Sequence, residues 1–161
     1  MSLYQTIEIG NTDAEGRVVL ADALTYAKKY NPKFVVDIAT LTGAAEVALG
    51  QRASALFCDD ETLSEKLCEI GEQSGDYLWP LPMWEEYDEE IKGTFGDWTN
   101  SAKAKWGGAI HGAVFLKQFA KDYKWAHIDI APRMVSIDGE HLAKGSAGAP
   151  VRLLVKLLET L

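Results

Sequence analysis

The sequence is poor in the residues that build disulfide scaffolds, thiolate zinc sites and nucleic-acid surfaces. Its two cysteines, Cys58 and Cys68, form no CxxC and have no histidine nearby; this excludes a disulfide framework and makes a reducing cytoplasm the expected setting. The three histidines, His111, His127 and His141, are dispersed, without an H-x-x-x-H or H-E-x-x-H pair. Sixteen Lys and Arg against 24 Asp and Glu leave a net charge of −8. Nucleic acid is therefore not an expected partner, because phosphate binding needs clustered cations. No apolar run approaches the ~20 residues of a membrane span, so no membrane partner is expected. No serine stands in a G-x-S-x-G elbow, and no loop has the glycine and lysine spacing of a phosphate-binding P-loop.

What is present is the material of a folded domain. Apolar residues make up 47% of the 161, five of them Trp. A chain of this length buries roughly 70% of the surface its unfolded form exposes. Residues 4–9, "YQTIEI", alternate as a strand, and Gly10 and Asn11 break the run. From Gly16 to Tyr30, Val19, Leu20, Ala23, Leu24 and Ala27 recur at helical spacing. A continuous apolar strand follows at 33–40, then a helix ending near Gly50, a strand at 53–58 and an acidic amphipathic helix at 61–74. Residues 75–106, rich in Trp, Pro and Gly, are too apolar for a linker. They read as an ordered excursion, with a short helix around 84–91, packed over a sheet or against a partner. A helix at 107–120, a strand at 126–131 and a closing amphipathic helix complete the chain. Alternation of strand and helix predicts an α/β fold: a three-layer domain with a mostly parallel or mixed central sheet and helices on its two faces.

Two stretches have the composition of sites. In "NTDAEGR" at 11–17, Asp13, Glu15 and Arg17 are two apart. In an extended segment at a strand's carboxyl end, residues i and i+2 point the same way and offer oxygen ligands to one hard cation. The same residues also suit a helix start, with Asp13 as cap and Glu15 in the first turn. In "ATLTGA" at 39–44, backbone N–H groups and the hydroxyls of Thr40 and Thr42 suit an anion or oxyanion; they also suit a plain strand-to-helix turn in which threonine caps. His127 and Asp129 alternate on one strand and fit a satisfied structural histidine better than a metal ligand. "KGSAGAPVRL" at 144–153 is a glycine-rich entry to the last helix.

In order along the chain, "NTDAEGRVVLADAL", "DIATLTGAAEVALG", "LPMWEEY", "FGDWTN", "WGGAI", "HIDIA" and "GSAGAPVRLL" resemble the leucyl aminopeptidase family. These are dinuclear metallopeptidases that remove N-terminal residues from peptides. The resemblance implies that Asp13 and Glu15 bind metal, with Glu15 bridging two divalent ions, Mn²⁺ or Zn²⁺. It implies that Arg17 holds a bicarbonate acting as general base. Thr40, Leu41 and Gly43 match positions that contact substrate or bicarbonate, and Ala131 and Met134 match the wall of the pocket for the first side chain. Peptides with a free N-terminus are the implied substrates, and a homo-oligomer, a hexamer in the family, the implied assembly.

Departures from the family pattern are Pro132 where a glycine is usual in "DIAP", and His111 and Gly112 in "GGAIHGA". The family's remaining metal ligands, a Lys and two Asp, and its catalytic Lys lie upstream of the first motif. Residues 1–3 therefore read as an expression leader and 4–161 as the C-terminal portion of a catalytic domain, expected to be inactive alone. Two other readings stay open: a small α/β module binding Mg²⁺ and a phosphorylated ligand, and a non-catalytic assembly module.

Overall fold

The computed structural model describes residues 5–161; the leader expected at residues 1–3 and the start of the first strand at Tyr4 lie outside them. The described chain forms two compact units, one from the described residues up to Val35 with Pro82–Trp125 and the other from Val36–Leu81 with Ala126–Leu161.

In the first unit, strand β1 (Ile7–Glu8) enters a 3-10 turn at Thr12–Ala14 that runs directly into helix α1 (Glu15–Ala27). Its buried face carries Ala21 and Leu24, while Val19, expected on the apolar stripe, is exposed. Asn31 ends this stretch in the left-handed conformation that asparagine tolerates. The phenol of Tyr123 donates to Leu24 O at 2.6 Å, tying the end of the helix to a distant turn.

Helix α5 (Gly108–Lys117) is apolar around most of its circumference, and Ala113, Val114, Phe115 and Leu116 are fully buried. It packs on α1 and on the short helix α4 (Glu86–Glu90). Strand β5 (Trp98–Thr99) lies parallel to β1, Ile7 opposite Trp98 and Glu8 opposite Thr99. The loop before β5 folds tightly onto itself: a Cβ on Gly93 would sit 2.3 Å from Gly96 O, so only glycine fits.

Carboxylates seal this pair of strands. Glu8 accepts the N–H groups of Phe95 and, at 2.7 Å, Gly96. Asp97 accepts the backbone N–H and the hydroxyl of Thr6, each at 2.7 Å. These hydrogen bonds favour the charged forms and hold the two carboxyls below their ordinary pKa range.

The second unit carries a mixed four-stranded sheet in the order β2 (Phe34–Ala39), β6 (Lys124–Asp129), β3 (Ser54–Cys58), β4 (Leu78–Pro80). Strand β3 is antiparallel to β6, with Phe57 opposite His127, and parallel to β4, with Ser54 opposite Leu78. Ser54, Ala55, Leu56 and Phe57 are consecutive and all buried, so this strand is covered on its two faces, as the three-layer class requires. Pro80 is accommodated because β4 is an edge strand, where a missing N–H breaks no ladder.

Helix α2 (Gly43–Leu49) follows β2, and α3 (Glu61–Ser74) follows β3, capped by Asp60 accepting from Leu63 N at 2.8 Å. Helix α3 packs against α6 (Val151–Leu158). The first turn of α6 has no cap of its own; buried Asp76 supplies one from the turn after α3, accepting Leu153 N at 3.1 Å and the Arg152 guanidinium at 2.7 Å.

The 75–106 excursion is thus not a single irregular layer. It contributes the short helix expected around 84–91, which is α4, and two strands, β4 and β5, too short to show a period in the sequence. Trp79 and Trp84 in it are exposed, whereas Trp98 is engaged, its ring beneath Lys121 and its Nε1 donating to Gln5.

Candidate functional site

Of the two readings of this stretch, an extended segment and a helix start, the structure shows the helix start, helical from Thr12 onward with Glu15 in the first turn of α1. After Asn11 the chain enters the 3-10 turn and then α1 without a break, so Asp13 and Glu15 sit about 200° apart around a helical path. Alternation of side chains along a strand therefore does not align them. Asp13 is not the cap: Asn11 caps the 3-10 turn, its Oδ1 accepting from Asp13 N at 2.9 Å, and α1 itself has no side-chain cap. The two carboxylates are exposed at the start of α1, where the helix dipole favours negative charge. Among the described residues neither has a hydrogen-bond or ion-pair partner.

Hard, unpartnered oxygen donors of this type fit a divalent cation. Two carboxylates fill only part of such an ion's shell, and among the described residues no three of His, Cys, Asp and Glu gather around one point. Arg17 donates from Nη1 to Asn100 O at 2.8 Å, one of the five N–H groups of its guanidinium.

In the second unit, Asp129 is the centre of the β2–α2 turn. Fully buried, it accepts Leu41 N at 3.0 Å, the Thr42 hydroxyl at 2.7 Å and Ala131 N at 3.1 Å. Leu41 and Ala131, two of the residues matched to substrate contacts, are thus fixed on one carboxylate. Thr42 spends its proton on Asp129 and accepts from Ala45 N at 3.2 Å as the cap of α2.

Thr42 thus takes the capping role of a strand-to-helix turn, one of the two readings of this stretch. Thr40 is exposed, Gly43 is exposed with open space where a side chain would lie, and Met134 is half-exposed.

His127 is structural, as its position in an apolar strand suggests: its Nδ1 pairs with Asp37 at 2.6 Å and its ring stacks on Phe57. The departures from the family pattern are accommodated locally. Pro132 occupies the first turn of the 3-10 helix Ala131–Arg133, where no N–H is needed. His111 is buried against Tyr87 and bonds Glu90 at 2.7 Å in the α4–α5 seam. Burial pushes the Cys58 thiol up to about 11, so it is no nucleophile at neutral pH.

Three residues with positioning roles have no local sequence period to announce them. Asn100 is buried against the 10–17 segment. Asp129 organises the β2–α2 turn. Buried Arg133 donates to Gln51 O at 2.7 Å and pairs with Glu140 at 2.7 Å, holding the loop that begins with Met134. The signal for the first two is a side chain able to bond backbone, Asn or Asp, placed at the end of a strand.

The chain is thus of the α/β class, with two exposed carboxylates at a helix start that have no partner among the described residues. The family is defined by comparison: a model of the cytosol aminopeptidase family's catalytic domain matches residues 1–155, and the chain belongs to that family of peptidases. It is similar to proteins named probable cytosol aminopeptidase from Nitrosomonas eutropha, at 52% identity over 154 residues, from Histophilus somni, at 50% over 153, and from Acinetobacter baylyi, at 51% over 154. These matches cover 95–96% of this chain but only 30–31% of each relative, so the chain spans about a third of their length. Among the described residues no helix is long and apolar enough to cross a membrane.

Proposed function

We propose that the chain forms the C-terminal part of the catalytic domain of a metal-dependent aminopeptidase of the cytoplasm, which hydrolyses the N-terminal peptide bond of peptides with a free amino terminus, of leucine-type or broad specificity. The observation that carries this reading is the pair Asp13 and Glu15, exposed and, among the described residues, unpartnered at the start of α1 inside the matched residues. These two would hold divalent metal, Mn²⁺ or Zn²⁺, and Glu15 would bridge two ions. When bound, such a pair supplies a nucleophile activated at neutral pH and polarisation of the scissile carbonyl.

The chain's own residues would orient and confine the reactants. Arg17 is the proposed holder of bicarbonate, the general base, with its guanidinium steadied on Asn100 O. Thr40, Leu41 and Gly43 are the proposed contacts to substrate or bicarbonate, the Leu41 amide fixed by Asp129. Ala131 and Met134 are proposed to wall the pocket for the first side chain. Assembly as a hexamer would follow the family.

The test uses the whole protein carrying this chain, with a leucine amide as substrate and metal content read in parallel. Glu15→Ala should abolish turnover and weaken metal binding. Arg17→Ala should slow turnover by about 10²- to 10⁴-fold, the usual contribution of a positioned base, with metal retained. The 161-residue chain by itself should show no turnover even with excess Mn²⁺. Unchanged metal content in the Glu15 variant would refute the ligand assignment.

A further inference from the structure

We infer that Asn100 is the positioning residue for the Asp13–Glu15 carboxylate pair, a role that rests on the metal-binding reading above. Its carboxamide is 1% exposed and is spent entirely on the segment bearing the two acids. Oδ1 accepts from Gly10 N at 2.8 Å and Asn11 N at 3.2 Å, while Nδ2 donates to Asn11 O at 2.8 Å and Ala14 O at 3.2 Å. Two lone pairs and two hydrogens are all a carboxamide has, and all four are used. The reverse orientation would set the amide nitrogen against two N–H groups, so the hydrogen-bond pattern fixes which end is oxygen.

The main chain of the same residue extends the clamp. Its N–H donates to Glu8 O at 3.0 Å, anchoring it beside β1, and its carbonyl accepts from Arg17 at 2.8 Å. Asn100 therefore touches the backbone before and between the acids and the side chain of the arginine that follows them.

The consequence lies in what the acids lack. With no partners of their own among the described residues, the carboxylates of Asp13 and Glu15 are located by their backbone alone. Besides the bonds internal to the 3-10 turn and α1, that backbone has the Asn11 cap and a turn bond from Ala14 N to Asn11 O at 3.3 Å. A metal site demands donors placed to within about half an ångström, which makes the residue that sets this backbone part of the affinity. No other side chain of this shape serves: aspartate has no hydrogen to donate and would face the carbonyls of Asn11 and Ala14 with a negative charge.

The experiment compares Asn100→Asp, Asn100→Ala and Glu15→Ala in the whole protein, by Mn²⁺ calorimetry on metal-free enzyme and by activity as a function of free Mn²⁺. The Asn100 variants should bind Mn²⁺ about 10- to 100-fold more weakly, the usual cost of losing a group that orients a ligand. Their activity should shift to higher Mn²⁺ and be recovered there, whereas added Mn²⁺ should not rescue Glu15→Ala. Unaltered Mn²⁺ affinity in Asn100→Asp, with affinity lost in Glu15→Ala, would overturn the role of Asn100 and leave the metal reading standing. Unaltered affinity in Glu15→Ala would instead overturn the metal reading. Should the Asn100 variants not fold, amide exchange in the unaltered metal-free protein decides: the Gly10 and Asn11 amides should exchange slowly before metal is added, and free exchange there would overturn the proposal.

Discussion

Asp129 shows how much one buried side chain can hold. Three donors converge on it, Leu41 N, the Thr42 hydroxyl and Ala131 N, and the last two are buried with it. Each stranded buried donor costs about 1–3 kcal/mol, so Asp129→Ala should destabilise the fold by about 3 kcal/mol or more. Asp129→Asn should cost less, since one oxygen still accepts. Urea midpoints compared at constant m-value read the difference, and an Ala variant within about 0.5 kcal/mol of the unaltered protein, the range of ordinary surface changes, would contradict it. Asn100 follows the same logic with a neutral group. Such residues stay hidden in the sequence because they lie far along the chain from what they bond: 87 to 88 positions separate Asp129 from Thr42 and Leu41. The motifs "HIDIA" and "FGDWTN" are visible as strings, but the identity of their partners is a property of the fold.

At the scale of elements, the β1–β5 pair is only two residues long on each side and is held largely by Glu8 and Asp97. The folded state lowers the pKa of the two carboxyls, so their stabilisation is fully present above the unfolded values, near pH 4. It is lost as pH falls through the still lower folded values. A melting-temperature profile from pH 7 to pH 3 should therefore drop less steeply in Glu8→Gln/Asp97→Asn than in the unaltered chain; parallel profiles would show that the carboxylates do not matter. Elements with a long period were legible in the sequence: α1, α3, α5 and α6, and strands β2, β3 and β6, fall within a few residues of their expected places. Of the short ones, β1 and α4 fall inside the strand and helix expected at 4–9 and 84–91, whereas β4 and β5 were not legible. β4, at Leu78–Pro80, contains a proline and three residues, too few to alternate, and its strand character comes from the neighbouring β3 backbone. Of the two readings of the Asp13–Glu15 stretch, the helix start is the one the structure shows; what the charges hid is the cap, Asn11, two residues before Asp13.

At the scale of the whole molecule, large aromatics stand out from the described surface. Trp79 and Trp84 are exposed, and Phe95 and Trp106, which the sequence pattern did not single out, are more so, at 97% and 84%. The 161-residue chain should therefore bind a hydrophobic dye strongly and scatter more light as its concentration rises, with Trp106→Ser lowering the signal. A chain that stays monomeric with weak dye binding would refute this. The cap that Asp76 lends to α6 has a consequence of another kind, in time rather than in space. A helix of eight residues is too short to persist by itself, and its first turn waits for a carboxylate 77 positions earlier in the chain. The last helix should therefore open only when the turn after α3 opens. Amide exchange along α6 should follow the larger unfolding of its unit rather than the fraying usual at a chain end, and Asp76→Ala should decouple the two, releasing α6 first while α3 remains protected.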